Sequence, residues 1–213
     1  MSGDLARRLR ARWQDGGARG LLSAMAGRLG AVTPVLLLEA TPDAADVEET
    51  PAALTFTWAT AEEFDRWLAV PAFQFPARLA LQGRNWLRRG DQCLVGLLDG
   101  QPATYLWVGT SVREFPGTPC VIGPGTAYVY KTFTLASLRG RGLNTAALHE
   151  VRRRSVQAGH RRLLIDVAAD NAASLRAIER AGFVRAARFF IVRLGGRRRA
   201  WLPPQVRRYI SGT

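Results

Sequence analysis

Arg139-Gly140-Arg141-Gly142-Leu143-Asn144 is the most informative segment of this sequence. It follows a strand-like run from Tyr128 to Leu135 and opens a helix-like run from Leu143 to Ala158. A glycine-containing turn between a strand and a helix exposes backbone N–H groups to a bound phosphate, and the positive end of the helix dipole adds to the attraction. The stretch therefore predicts a site for an anionic ligand.

The composition is that of one globular domain with an extension. The chain has 213 residues, of which 47% are hydrophobic, and a formal net charge of +13. No apolar run reaches the roughly 18 residues of a membrane span. The arginine-rich start lacks the apolar region and the cleavage site of a secretory signal. We therefore expect a cytoplasmic protein.

The positive charge comes almost entirely from dispersed arginines. Lys131 is the only lysine, and the basic residues do not gather in a recognisable nucleic-acid module. Contact with a polyanion is an alternative that the charge supports, but nucleic-acid binding is not the favoured interpretation. Cys93 and Cys120 have neither a disulfide framework nor a metal-ligand spacing. We predict two free thiols and no metal site.

Residues 1–50 differ in composition from the rest of the chain. Within residues 1–29, Leu5, Leu9 and Trp13 fall on one helical face and arginines lie elsewhere. Such a basic amphipathic segment can lie on an anionic membrane surface, or it can dock on the main domain or on a second subunit of a homodimer. A strand at Pro34–Ala40 and an acidic linker follow it, and the main domain is predicted over residues 51–213.

From residue 54 onward, strand and helix signals recur at short spacing. The pattern predicts an α/β fold of the α+β type with a mainly antiparallel sheet. The predicted elements are a strand at Leu54–Trp58, a helix capped by Thr60 and Glu63, a helix at Ala77–Arg89, a hairpin around Asp99-Gly100, a loop at Thr110–Gly125, a strand at Leu163–Ala168, a helix ending at Ala181 and a final hairpin after Arg188–Leu194.

Two motifs in this order resemble those of the GNAT superfamily of acyl-CoA-dependent N-acyltransferases. The first is the turn at residues 139–144. The second runs from Asp166 to Phe183 and has Asn171 eleven residues before Gly182. The resemblance covers residues 54–194 and implies a GNAT-like mixed sheet, mainly antiparallel and flanked by helices.

The resemblance also implies how acetyl-CoA, or another acyl-CoA, is held as cosubstrate. Backbone groups of residues 132–134 would pair with the pantetheine arm, residues 140–145 would surround the pyrophosphate, and Asn171 would contact the pantetheine near the thioester. From the residues alone, Asn171 is read as a helix cap. Asn144 stands where the family usually has Gly or Ala, so we expect altered phosphate contacts without loss of binding. The predicted cofactor-binding set is Thr132, Phe133, Thr134, Arg139, Gly140, Arg141, Gly142, Leu143, Asn144, Thr145, Asn171 and Ser174.

The catalytic groups are less well defined by the sequence. Acyl transfer to an amine needs a neutral amine, a polarised carbonyl and a proton source for the thiolate. Asp166 matches the place where some protein N-terminal acetyltransferases of the family carry a catalytic Glu, and Glu114 is a further candidate carboxylate. Ile178 occupies the position of the family's tyrosine acid. Tyr128 and Tyr130 are candidates for the acid or for the acceptor pocket, and the alternative is that both are ordinary strand aromatics.

The favoured hypothesis is an acyltransferase in which an amine attacks the acyl-CoA directly. The donor would lie in the V-shaped opening between the fourth and fifth strands of the family's sheet, and the acceptor would lie against Trp107, the two tyrosines and residues 110–125. A non-catalytic CoA-binding module is the alternative that Ile178 favours. A basic protein that binds nucleic acid or a membrane surface is favoured only by the charge and the N-terminal segment.

Overall fold

The computed structural model describes residues 31–42, 53–68, 77–116 and 118–210. The amphipathic segment predicted at residues 1–29 and most of the acidic linker lie outside these ranges. The strands are β1 (Ala31–Ala40), β2 (Leu54–Trp58), β3 (Gln92–Leu98), β4 (Gln101–Gly109), β5 (Val112–Phe115), β6 (Thr118–Val121), β7 (Thr126–Thr134), β8 (Arg162–Ala168), β9 (Val184–Leu194) and β10 (Arg197–Trp201). The α-helices are α1 (Ala61–Leu68), α2 (Ala77–Arg88), α3 (Leu143–Gln157), α4 (Ala172–Arg180) and α5 (Pro204–Ile210).

Eight of these strands form one sheet, in the order β10-β9-β1-β8-β7-β4-β3-β2. Every neighbouring pair is antiparallel except β7 and β8, which run parallel. The predicted mixed, mainly antiparallel sheet flanked by helices is confirmed. The parallel pair is also the shortest of this sheet, with four paired residues on each strand.

β1 is an interior strand of this sheet. It pairs with β8 from Val35 to Ala40 and with β9 from Ala31 to Glu39, and its Leu37 and Leu38 are fully buried. The strand predicted at Pro34–Ala40 is therefore present, but it belongs to the sheet and not to an N-terminal extension. Its continuous apolar run suits a strand that is covered on both faces.

Helices cover both faces of the sheet. α3 and α4 pack on one face, where Leu148, Val151 and Ile178 join a cluster of buried aliphatic side chains. α1, α2 and α5 contribute to the core on the opposite face, which is rich in aromatic side chains and includes Trp86 and Trp107. We call these the α3 face and the aromatic face.

Local sequence signals explain several element boundaries. The Thr60 hydroxyl accepts from the Glu63 N–H, and the Glu63 carboxylate accepts from the Thr60 N–H, which confirms the capping box at the start of α1. Asp99 and Gly100 both have positive φ angles, 51° and 75°, as a tight primed turn between β3 and β4 requires.

Residues 110–125 differ from the predicted loop. They contain the two-stranded hairpin of β5 and β6, paired from Val112 with Val121 to Phe115 with Thr118. The glycines and prolines of this segment suggested a loop, but Phe115, Cys120 and Ile122 are buried in the aromatic core. Burial of these apolar side chains orders the hairpin against the sheet.

Candidate active site

The sheet opens between β7 and β8. Their parallel pairing runs from Thr126 with Arg162 to Val129 with Ile165 and ends there, although both strands continue. Lys131 has a φ of 51°, and the register between β4 and β7 shifts at this point. A bulge of this kind bends a strand away from its neighbour. The result is the V-shaped opening that the family resemblance implied.

A pocket of about 510 Å³ lies beside this opening, between β7, the turn after it, α3 and α4. Every residue of the predicted cofactor-binding set lines it except Arg141. Leu138, Ala173, Arg176, Ala177 and Arg180 line it as well, and none of them belongs to the predicted set. The structure thus brings the two sequence motifs together around one space.

The glycine turn presents bare backbone to this pocket. Gly140 and Gly142 have φ angles of 81° and 75°, and a Cβ atom on either would meet no other atom within 4 Å. Gly142 is also the N-cap of α3, and no side chain caps this helix end. The N–H groups of the first turn of α3 therefore have no side-chain cap, and binding of an anion to them stays a prediction.

The two asparagines of the motifs have different environments. Asn171 is the N-cap of α4 and accepts a hydrogen bond from the Ser174 N–H at 3.2 Å, which confirms the cap interpretation. It lines the pocket at the same time, so its contact with pantetheine stays a prediction. The Oδ1 atom of Asn144 is buried without a hydrogen-bond partner within the described residues, and the turn around it leaves the pocket open.

Asp166 is the first residue of β8 beyond the last pair with β7. Its Oδ1 atom accepts two hydrogen bonds, one from the Tyr128 hydroxyl and one from Arg113 Nη2, each at 3.0 Å. Tyr128 is fully buried. Burial and the charge of Asp166 raise the pKa of Tyr128 well above its usual range, and Arg113 opposes this only in part. Tyr128 therefore stays protonated and serves Asp166 as a hydrogen-bond donor.

Arg113 is a site residue that the sequence analysis missed. It extends from β5 of the hairpin, and its guanidinium carbon lies 5.0 to 5.3 Å from the ring centres of Phe115, Tyr128 and Tyr130. Burial opposes its charge, but the carboxylate of Asp166 raises the pKa of Arg113 in spite of this. Arg113 resembles the many other arginines of the chain in sequence, so no local signal could have singled it out.

Tyr130 belongs to a different cluster. Its hydroxyl donates to Oδ2 of Asp91 at 2.5 Å, and Arg89 forms an ion pair with the same carboxylate. Burial and the hydrogen bond with Asp91 raise the pKa of Tyr130 far above its usual range. Glu114 is exposed and pairs with Arg89 at 3.1 Å, so it belongs to the cluster around Asp91. Asp91, a buried carboxylate beside β3, was also missed by the sequence analysis.

The predicted acceptor-side aromatics are core residues. Trp107 and Tyr128 have no exposed surface, and Tyr130 is 5% exposed. Trp107 packs edge-on against Phe64 and Trp86. This burial is what the alternative interpretation of the tyrosines, as ordinary strand aromatics, predicts. Ile178, at the position of the family's tyrosine, is buried in the aliphatic cluster.

Three further expectations concern the described residues as a whole. Cys93 and Cys120 are both free and buried. No group of three or more His, Cys, Asp or Glu side chains suitable for a metal ion occurs in the described ranges. Nor does any helix there have the length and apolar character needed to cross a membrane.

Comparison with known proteins identifies the family. The model of the Acetyltransferase (GNAT) family matches residues 53–183, which is more than half of the chain and includes both motifs. The chain belongs to the GNAT family. No match was found among curated proteins.

Solved structures of GNAT proteins share this fold. A GCN5-related N-acetyltransferase from Sphaerobacter thermophilus matches with a TM-score of 0.55 and 18% identity over 87% of this chain and 57% of its own. A GCN5-related N-acetyltransferase from Kribbella flavida matches with a TM-score of 0.52 and 18% identity over 81% of this chain and 62% of its own. A GNAT-family acetyltransferase from Colwellia psychrerythraea matches with a TM-score of 0.55 and 17% identity over 81% of this chain and 61% of its own. This GNAT chain thus spans about three fifths of the length of these structures.

Proposed function

We propose that this GNAT protein transfers an acyl group, acetyl or another, from acyl-CoA to an amine that attacks the thioester directly. One observation carries the proposal: the glycine turn, Asn171 and the free part of β7 line a single pocket where the sheet opens. The family supports acyl transfer in general. The acceptor is not identified by it.

The residues of the pocket would bind the donor in order along its length. Backbone N–H groups of residues 140–145 would donate hydrogen bonds to the pyrophosphate at the start of α3. Thr132 to Thr134 would pair with the pantetheine amides, because β8 has diverged from this part of β7 and leaves its edge open. The thioester would then lie near the opening, on the side of Asp166.

Neither cysteine is a credible nucleophile for a covalent intermediate. Burial raises the pKa of both Cys93 and Cys120, which keeps them as thiols, and the thiolate is the reactive form. Asp166 is the carboxylate at the opening, and Arg113 and Tyr128 orient it through one oxygen. We assign Asp166 to bind the acceptor amine and accept its proton with the other oxygen.

Ligand binding and turnover test the proposal separately. Acetyl-CoA at 100 times its Kd should raise the free energy of unfolding by about 2.7 kcal/mol, measured as a shift in Tm. Release of the CoA thiol is then followed with a panel of small amines, amino acids and peptides. Asp166→Asn should lower kcat with little effect on acetyl-CoA binding, and Glu114→Gln serves as the carboxylate control. No stabilisation by any acyl-CoA would refute the proposal.

A non-catalytic CoA-binding module is the second candidate. It is favoured by the buried Ile178 and by the burial of both candidate tyrosines, since neither of these two phenols is exposed to protonate the departing thiolate. Stabilisation by CoA without thiol release for any amine would favour this module over the enzyme.

A further inference from the structure

We propose that the outer part of the α3 face, at the β10 end of the sheet, is a docking surface for an anionic phospholipid membrane. β1, β9 and β10 form this surface, which we call the outer strand face. The inference is independent of the proposed acyl transfer. The members that carry it are Val32, Arg188, Leu194, Arg197, Arg199 and Trp201.

The pairing register places the aliphatic members on one side of the sheet. Leu36 of β1 belongs to the aliphatic cluster of the α3 face, and side chains alternate along a strand, so Val32 lies on that face too. Val32 pairs with Val192 of β9, and directly paired residues share a face. Leu194, two residues after Val192, therefore lies there as well.

The same register brings three arginines and a tryptophan to this face. Arg197 of β10 pairs with Leu194, and Arg199 and Trp201 follow Arg197 at intervals of two residues. Arg188 precedes Leu194 in β9 by an even number of residues. Neither β9 nor β10 contains an acidic residue. These arginines form no salt bridge within the described ranges, so their charge is available to a partner.

The apolar members are exposed together. In the described part of the chain, the aliphatic cluster under α3 and α4 includes no residue of β9 or β10. Val32, Leu194 and Trp201 are 61%, 67% and 58% exposed. With strands about 4.8 Å apart and a rise of about 3.4 Å per residue, they lie within an area of roughly 10 by 14 Å. Apolar side chains exposed side by side indicate an interaction surface.

The positive charge of the outer strand face decides which occupant fits it. A second copy of the chain would place arginines against arginines in an isologous contact. Residues 1–29 carry six arginines and two aspartates, so they are not complementary to this face either. An anionic surface is complementary to both parts. Residues 1–29 precede β1 close to Val32 in sequence, so both parts can meet the same surface.

The apolar members favour a lipid surface over other polyanions. Nucleic acids are bound through their phosphates and by base stacking on aromatic rings, and the aliphatic side chains of Val32 and Leu194 provide neither. At a bilayer surface, tryptophan lies at the interface, aliphatic side chains reach the acyl boundary and arginines contact anionic headgroups. The outer strand face offers all three kinds of side chain.

Co-sedimentation of the full chain with lipid vesicles tests the inference. The unmodified protein should bind vesicles of phosphatidylserine and phosphatidylcholine but not phosphatidylcholine alone, and added salt should weaken binding. Arg197→Gln/Arg199→Gln should weaken binding about 5-fold for each arginine removed. Leu194→Ser/Trp201→Ser should also weaken it and leave its salt dependence in place.

Arg193→Gln/Arg198→Gln is the matched charge control. Arg193 and Arg198 pair with each other on the same two strands, but Arg193 alternates with Ile191 of the aromatic core and so lies on the opposite face. Leu81→Ser/Val121→Ser is the apolar control, since each of these residues is 59% exposed elsewhere on the protein. Both controls should bind vesicles as the unmodified protein does.

Failure of the unmodified chain to bind the anionic vesicles would overturn the inference. An equal loss in the two arginine pairs would also overturn it, because overall charge and not this face would then cause binding. Undiminished binding in both variants of the outer strand face would place the contact on another part of the chain. Binding to labelled oligothymidylate or polyglutamate without binding to vesicles would show a different class of partner and would equally overturn it.

Discussion

Arg113 and Tyr128 both donate to the same oxygen of Asp166, each at 3.0 Å. The contact joins the β5–β6 hairpin to β8 at the residue where β8 leaves β7. The Arg113 and Asp166 side chains are 17% and 19% exposed, so water can replace little of the lost interaction if one partner is removed. The hairpin is therefore held in place by the same carboxylate that we assign to the acceptor amine.

Arg113→Gln should destabilise the protein by about 1–3 kcal/mol, because it leaves a largely buried carboxylate without its cationic partner. The loss should appear as a lower urea midpoint with an unchanged m-value. Arg84→Gln is the matched control: its pair with Asp65, at 2.8 Å, has side chains 45% and 49% exposed. Such surface pairs contribute about 0–1 kcal/mol. Equal effects of the two substitutions would contradict this assignment of Arg113.

Gly142→Leu should abolish stabilisation by acetyl-CoA. Gly142 has a φ of 75°, is the N-cap of α3 and lines the pocket. Gly159, just after the same helix, has a φ of 73° and equally open surroundings. Both Leu variants should lose roughly 1–2 kcal/mol of stability from backbone strain, but only Gly142→Leu should lose the ligand-dependent rise in Tm. A normal rise in that variant would place the pyrophosphate elsewhere.

Tyr130→Phe separates a structural from a catalytic role for this tyrosine. Removing its hydroxyl leaves the buried Asp91 with one donor fewer, which should cost about 1–3 kcal/mol of stability. The rate of CoA release should stay within a few-fold of the unmodified enzyme, because the hydroxyl is bonded to the Asp91 cluster and not to Asp166. A large fall in kcat with unchanged acetyl-CoA binding would identify Tyr130 as the acid after all.

The parts of the site that the sequence predicted are those encoded by local spacing. The turn at residues 139–144 and the cap at Asn171 depend on neighbours a few residues away, so their geometry follows from the sequence. The parts that were missed depend on distant partners. Arg113 meets Asp166 across 53 positions and Tyr130 meets Asp91 across 39. No periodicity or motif specifies such pairs.

Two further misses have the same physical origin. The glycines and prolines of residues 110–125 suggest a loop, but burial of the hairpin's apolar side chains against the sheet orders it as β5 and β6. Arg176 and Arg180 resemble solvated helix residues, because nothing in the sequence tells which face of α4 meets the turn. Tertiary packing decides both cases, and local composition does not report it.

Stability should rise with pH between about 5 and 7, the range around the usual pKa of histidine. Burial and the charge of Arg152 lower the pKa of His149, partly opposed by a hydrogen bond with the backbone of Arg180, and burial lowers the pKa of His160. The unfolded chain therefore binds more protons than the folded one in this range, so stability is lost as the pH falls. His149→Gln/His160→Gln should flatten the dependence, since these are the only histidines of the chain. The free energy of unfolding is measured with urea at half-unit pH intervals. If it changes with pH as steeply in the double variant as in the unmodified protein, groups other than the two histidines cause the pH dependence.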